Sequence, residues 1–180
     1  MVELKTKELQ LRTVCHHDVH EVFQFILRNR EHLRVWEPVR DENYFTVEYQ
    51  INQINIELDK INRGEMYKFW IFKEERIIGS ISLNNVVRGA FLSCHLGYRI
   101  DEQEQGKGYA TEAIRAVVDY AFTKGGLHRI EANIMPRNLG SLRVVEKLGF
   151  INEGIAKKYL KINGKWEDHI HMVLLNFSIE

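Results

Sequence analysis

The stretch Gln105-Gly106-Lys107-Gly108-Tyr109-Ala110 carries the residues best suited to holding an anion. It follows a strand-like run, Cys94 to Ile100, and precedes a long segment of helical apolar periodicity. Two glycines one residue apart let the main chain turn tightly and leave its N–H groups uncovered. A helix starting there adds free donors and the positive end of its dipole, which suits a pyrophosphate. Two familiar nucleotide loops do not fit. The pattern G-x-x-x-x-G-K-[ST] is absent, and G-x-G-x-x-G counted from Gly106 and Gly108 meets Thr111 in its third glycine place. A plain strand-to-helix turn, with glycine for geometry, is the structural alternative.

Other chemistry-bearing residues are sparser. His16 and His20 stand at i,i+4, and His169 and His171 at i,i+2 on one strand face. Neither pair has an evident third ligand, so exposed histidines are expected and no metal. Cys15 and Cys94 are isolated, with no C-x-x-C, and read as free thiols of a reducing compartment.

Composition limits the class. The chain has 180 residues, 44% apolar and 28% charged, which suits one globular domain, residues 1–180, with a real core. The formal net charge is zero, which argues against a basic face for broad nucleic-acid binding. No apolar segment approaches the roughly 20 residues of a membrane span, and Met1 to Lys5 lacks a signal-type stretch. A cytoplasmic location is expected.

The elements that must position these residues read in order. Leu9 to Val14 alternates as a strand, and Asp18 can cap a helix with Val19, Val22, Phe23, Ile26 and Leu27 on its apolar face. Pro38 breaks the chain at Trp36-Glu37. A helix is expected from about Val47 to Ile61, then a hairpin of Tyr67–Phe72 and Ile77–Leu83. Asn84 to Gly89 reads as a loop and Ala90 to Ile100 as a strand. After the glycine loop, Ala110, Ala113, Ile114, Val117, Val118, Ala121 and Phe122 define one helix face, stopped by Gly125-Gly126. His128–Ile134 alternates as a strand, and Asn138 can cap a short helix ended by Gly149. Phe150–Ile155 and Trp166–Phe177 close the chain as strands. Hairpins with one helical crossover predict an α+β fold with a mixed sheet rather than a doubly wound one.

The whole pattern resembles a GNAT N-acetyltransferase, and more narrowly the RimJ/RimL group, on its RimJ side. Gln105, Gly108 and Ala110 match the coenzyme A loop Q/R-x-x-G-x-G/A of that superfamily, and Leu148-Gly149-Phe150 is also general to it. Further matches are Leu96-Gly97-Tyr98, His128-Arg129-Ile130, Ala132-Asn133, Met135-Pro136, Asn138 and Gly164-Lys165-Trp166-Glu167-Asp168-His169, and the narrower ones are Trp36-Glu37-Pro38-Val39-Arg40-Asp41-Glu42 and Asn85-Val86-Val87-Arg88-Gly89. They span nearly the full length in order. The resemblance implies a GNAT fold: a mostly antiparallel sheet of six to seven strands flanked by helices, with a cofactor wedge between its two central strands.

It also implies roles. Acetyl-CoA, as co-substrate, would lie between the Leu96–Ile100 and His128–Ile134 strands. Main-chain groups of Leu96, Tyr98 and Ile100 would pair with the pantetheine as an added strand would. N–H groups of Gln105, Gly106, Lys107, Gly108, Tyr109 and Ala110 would hold the pyrophosphate, with Asn138, Ser141 and Arg143 as further contacts. A strand N–H near Tyr98 would polarise the thioester oxygen. The departing thiolate needs a proton. The tyrosine many relatives use four residues before the Gly of Leu-Gly-Phe is Val145 here, so Ser141 is the candidate donor. Its plain alternative is a first-turn residue satisfying the main chain.

The carboxylate that RimL-like enzymes are thought to use after Leu-Gly-Phe is missing from Ala156 to Lys161, which leaves Glu37 as a weak candidate base. The expected acceptor is the N-terminal amine of a protein or peptide, a ribosomal protein starting with Ala or Ser. Trp36, Glu37 and Pro38, with Asn84, Asn85 and Arg88, would form its site as one group. The alternatives are a small amine, or a non-catalytic coenzyme A-binding assembly factor. A homodimer is left open.

Overall fold

A computed structural model describes residues 2–180. One mixed sheet of eight strands runs through it in the order β1-β2-β3-β4-β5-β6-β8-β7. The strands are β1 (Glu3–Lys5), β2 (Gln10–Arg12), β3 (Tyr67–Lys73), β4 (Arg76–Val87), β5 (Ser93–Ile100), β6 (Arg129–Ile134), β7 (Ile151–Ile162) and β8 (Lys165–Leu175). The helices are α1 (Val19–Arg28), α2 (Arg30–Arg34), α3 (Val47–Asn62), α4 (Tyr109–Thr123) and α5 (Leu139–Lys147). The class is as expected, with eight strands instead of six or seven. The addition is the short β1, and β7 runs on to Ile162, past the expected end at Ile155.

Alternation divides the strands between two faces. One face packs Ile81, Leu83, Leu96, Ile130, Ala132 and Met172 against Ala113, Ile114 and Val117 of α4 and Val145 of α5. The other packs Trp70, Phe72 and Ile77 against Val22, Phe25 and Ile26 of α1 and Ile54 of α3. At its centre this second face is polar: it carries Ser80, Ser82 and Asn84 of β4, His95 and Arg99 of β5, and Glu131 and Asn133 of β6.

β5 and β6 are the only parallel neighbours among the described residues, since α4 forms the crossover between them. They pair over three residues, Ser93↔Arg129, Cys94↔Ile130 and His95↔Glu131, and then part. Beyond His95, β5 is held only by β4, through Leu96↔Leu83 to Ile100↔Gly79.

Several expectations need correction. Asp18 does not cap α1 with its side chain. It accepts from Arg12 at 2.6 and 2.9 Å, and that pairing holds its carboxyl below the usual carboxylate range. Leu27 is exposed. Asn84 to Val87 continue β4 instead of forming a loop. The register slips between Asn84 and Val87, with Asn85 at φ 51°, so a bulge supplies the turn-like signal. His169 is buried, not exposed, and its pKa is pulled down by desolvation.

Candidate active site

The parting of β5 from β6 creates the site. From Leu96 to Ile100 the β6-side edge of β5 faces a gap, and every second residue directs its N–H and C=O into it. The side chains of Leu96 and Ile100 are buried in the core, so only their main chains are available there. Tyr98 points to the α4–α5 face. Burial pushes its phenol up to about 12, so it stays protonated, and it donates to the Ser141 carbonyl at 3.2 Å.

The glycine loop lies just past the end of β5. Gly106 (φ 73°) and Gly108 (φ 86°) are left-handed, and a Cβ at either would meet nothing within 4 Å. The loop is therefore glycine-rich for main-chain conformation and leaves open space above it. Gly108 is the N-cap of α4 and offers no capping side chain, so the first N–H groups of the helix stay free for an anion. Asp101 anchors the loop: it is buried, accepts from Arg28 (2.6 Å) and Arg76 (3.0 Å), and also accepts from the Gln103 N–H. The Lys107 ammonium is tied to Glu104 at 2.9 Å, and the Gln105 amide meets His32 at 2.8 Å. The Tyr109 side chain turns away, buried with its hydroxyl on Glu8, so only its N–H can serve the loop.

On the far side of the wedge, Asn138 caps α5 by accepting from the Ser141 N–H at 3.1 Å. Asn138 and Tyr98 thus engage the main chain of Ser141, and neither uses its hydroxyl. Arg143 is exposed and donates to the Leu139 carbonyl.

The residues expected to hold the acceptor separate into three places. Trp36 sits at the open end of the wedge, half-buried, with the Arg137 guanidinium 5.2 Å from its ring centroid. Its loop is held by the Arg137–Val35 carbonyl bond and by the Asn163 N–H on the Glu37 carbonyl. Glu37, Pro38 and Arg40 line a pocket of about 420 Å³ with Leu33 and Phe45. Asn84 and Asn85 lie at the closed end. Asn84 donates to Ser82 at 2.9 Å, and the Asn85 amide is 3.4 Å from His95 Nδ1. At about 3.3 Å per strand residue, these ends are roughly 10 Å or more apart. Arg88 joins neither. It donates to the Gly125 carbonyl at the C-terminus of α4 and to the Tyr67 hydroxyl, and so completes a helix end.

Glu37 is a paired carboxylate. Its oxygens stand 3.6 Å from Arg99 and 3.6 Å from Arg40. Burial acts to lower the pKa of Arg99, but Glu37 and Tyr44 outweigh it and hold the guanidinium firmly charged. Two arginines on one carboxylate favour a structural ion pair over a base. The near-buried pair Lys68–Glu57, at 3.6 Å, extends the polar face, and desolvation lowers the lysine pKa. Among the described residues no group of three His, Cys, Asp or Glu is placed to hold a metal. Cys94 is buried, its thiol pushed up to about 12 by desolvation, which makes it inert.

A central wedge between parted parallel strands, with a glycine loop at one end and an open helix N-terminus, defines an acyl-CoA-dependent transferase. The chain belongs to the GNAT acetyltransferases: the family model described as "Acetyltransferase (GNAT) domain" matches residues 8–151. It is an acetyl-CoA-dependent N-acetyltransferase of RimJ/RimL type. It is 45% identical over 175 residues to "Probable N-acetyltransferase YjcK" of Bacillus subtilis (strain 168), covering 96% of this chain and 97% of that one. It is 39% identical over 171 residues to the [ribosomal protein uS5]-alanine N-acetyltransferase of Escherichia coli (strain K12), covering 94% and 88%. Among solved structures it resembles the ribosomal-protein-S5-alanine acetyltransferase of Vibrio fischeri, with TM-score 0.95, 36% identity and full coverage of both chains. It also resembles Mycobacterium smegmatis RimJ in complex with CoA-disulfide, with TM-score 0.92, 30% identity, and coverage of 99% of this chain and 88% of that one.

No helix is long and apolar enough to cross a membrane among the described residues. The sequence pattern assigns no role to His95, Glu131 or Asn133. Their signal was available in the alternation of β6, where polar residues recur opposite Ile130, Ala132 and Ile134.

Proposed function

We propose that this enzyme acetylates the N-terminal amine of a protein, and that its natural acceptor is a ribosomal protein beginning with Ala or Ser. One observation carries the reading. The wedge opens onto a polar sheet face, under the Trp36–Arg40 loop, in a chain that matches ribosomal-protein-alanine acetyltransferases over nearly its whole length. An extended peptide can pair its main chain with polar groups along such a face, whereas a small amine would leave several unpaired.

In this reading the main chain of Leu96, Tyr98 and Ile100 aligns the pantetheine. The Gln105–Ala110 amides hold the pyrophosphate, with Asn138 and Arg143 beside the arm. A β5 N–H near Tyr98 polarises the thioester oxygen. The neutral amine attacks directly in a ternary complex, and the Ser141 hydroxyl protonates the departing thiolate. An α-amine titrates near pH 7.7–8.0, so a usable fraction is neutral at pH 7.

The test is thiol release from acetyl-CoA with peptides differing only at residue one, alongside spermidine, with the product sites assigned by intact mass. Peptides starting with Ala or Ser should react fastest, at the α-amine. Faster acetylation of spermidine than of any such peptide would overturn the reading.

A further inference from the structure

Two buried polar atoms on the acceptor side of the wedge have no hydrogen-bond partner: Asn133 Oδ1 and His171 Nε2. They belong together, because Asn133 and His171 are directly opposite in the β6–β8 register and share the polar face. Asn133 lies two residues beyond Glu131, the last β6 residue paired with β5, so it edges the gap itself. An uncompensated buried acceptor costs roughly a hydrogen bond's desolvation, and two side by side call for a donor that both can share.

Glu131 lies on the Nδ1 side of the histidine. One of its oxygens is 3.8 Å from His171 Nδ1 and 3.7 Å from His95 Nε2, while Arg129 holds the other at 2.8 Å. A carboxylate on the Nδ1 side favours the proton there, which leaves Nε2 as an acceptor. The unpartnered pair is then acceptor–acceptor, complementary to a group that only donates. A primary ammonium is such a group.

We propose that Asn133 and His171 receive the acceptor amine and that His171 Nε2 is the base for acetyl transfer. This deepens the N-terminal reading but holds for any primary amine. The ammonium gives one proton to Nε2, which later passes to solvent. The freed nitrogen pair forms the C–N bond at the thioester carbonyl carbon. The C–S bond then breaks, and the thiolate leaves with the second amine proton by way of a donor such as Ser141. Tyr159 stands over the site, its ring centroid 4.9 Å from that of His171. It lies where the β7 register slips, between Ala156 and Leu160, so it can swing aside without breaking the ladder. The titratable groups facing His171 are Glu131 from β6, His95 from β5, Glu153 and Tyr159 from β7, and His169 on its own strand.

The experiment is the pH profile of His171→Gln, which keeps an acceptor but cannot take the proton. It uses whichever amine the wild-type enzyme acetylates fastest, so a failure of the N-terminal reading changes only the acceptor used. At pH 7, kcat/KM should fall about 10²-fold, with acetyl-CoA affinity by calorimetry unchanged. With an α-amine acceptor the deficit should shrink to within about tenfold at pH 9, where that amine is already neutral, and with an alkylamine acceptor the same comparison is made about one unit above that amine's own pKa. Activity within about threefold of wild type at pH 7, or a deficit equal at both pH values, overturns the proposal. If His171→Gln fails to bind acetyl-CoA, Asn133→Leu decides. It should raise KM for the amine about tenfold or more, and an unchanged KM overturns the proposal.

Discussion

The Tyr98 hydroxyl donates to the carbonyl of Ser141 at 3.2 Å, tying β5 to the first turn of α5 from one side of the wedge. Asn138 accepts from the N–H of the same serine, so the residue is fixed through its main chain alone. Ser141→Ala should therefore leave the fold and acetyl-CoA affinity nearly unchanged. If the hydroxyl protonates the thiolate, kcat should fall about 10²-fold or more. Steady-state kinetics beside calorimetry measure the two effects. A loss under about threefold would return Ser141 to the role of a first-turn residue.

Gly108 gives the sharpest test of the cofactor loop. Its φ of 86° and the empty space beside it mean that a side chain there meets no protein atom, only the volume in which a pyrophosphate approaches the amides. Gly108→Glu puts a negative charge into that volume and strains the left-handed main chain. Acetyl-CoA binding should be lost, with a modest fall in Tm, since left-handed strain at a non-Gly residue costs about 1–3 kcal/mol. Calorimetry with acetyl-CoA and a thermal melt separate the two.

Asp101 should matter for stability, and through it for the loop. Its carboxylate is buried between Arg28 and Arg76. Burial acts to raise its pKa, but the hydrogen bond from Arg28 and the other partners win, and the net shift is downward. A folded-state pKa below the unfolded one contributes stability that is present above the unfolded value of about 3.9. That stability is lost as pH falls through the folded value. Asp101→Ala leaves Arg28 with only the Ile77 carbonyl, and Arg76 with the more distant Glu104 at 3.7 Å. Both are partly exposed, so the cost should be about 2–3 kcal/mol at pH 7, below the range for fully buried pairs. The wild-type and variant stability curves should converge below about pH 4, and a constant gap down to pH 2 would contradict this account.

What the sequence disclosed follows from which forces are local. The apolar face of α4 and the Asn138 cap of α5 are set by spacing within one segment, and both form as read. The bulge at Asn84–Val87 has the composition of a loop, because Asn85 supplies a left-handed residue inside a strand. The extent of β7 through Ile162 is masked by Gly154 and by Lys157, Lys158 and Lys161. Alternation places His169 and His171 on one face, but only packing shows that Tyr159 covers both. Arg88 is next to the Asn84-Asn85 pair in sequence and is drawn to the end of α4 by a carbonyl that no local pattern announces. The wedge itself is tertiary: strand separation has no signature within either strand.

Trp36 tests how the acceptor is selected. Its ring is half-buried, with Arg137 against it, and Arg137 also reaches the Val35 carbonyl and Glu167. The ring is thus braced at the mouth of the wedge, beside Pro38 and the pocket that Glu37 and Arg40 line. A fixed aromatic wall narrows the entry and favours a small first side chain over a large one. Asn84 and Asn85, at the other end, are too distant to shape the same slot, so selectivity at residue one should depend on Trp36 and not on them. Trp36→Ala should raise KM for an Ala-initiated peptide about tenfold, leave acetyl-CoA binding alone, and narrow the preference for Ala over Phe at residue one. Asn85→Ala should leave that preference as it is in the wild type. Competition between Ala- and Phe-initiated peptides, read by intact mass, measures both. A preference that survives Trp36→Ala unchanged would discard the slot and leave the choice of acceptor to contacts farther along the peptide.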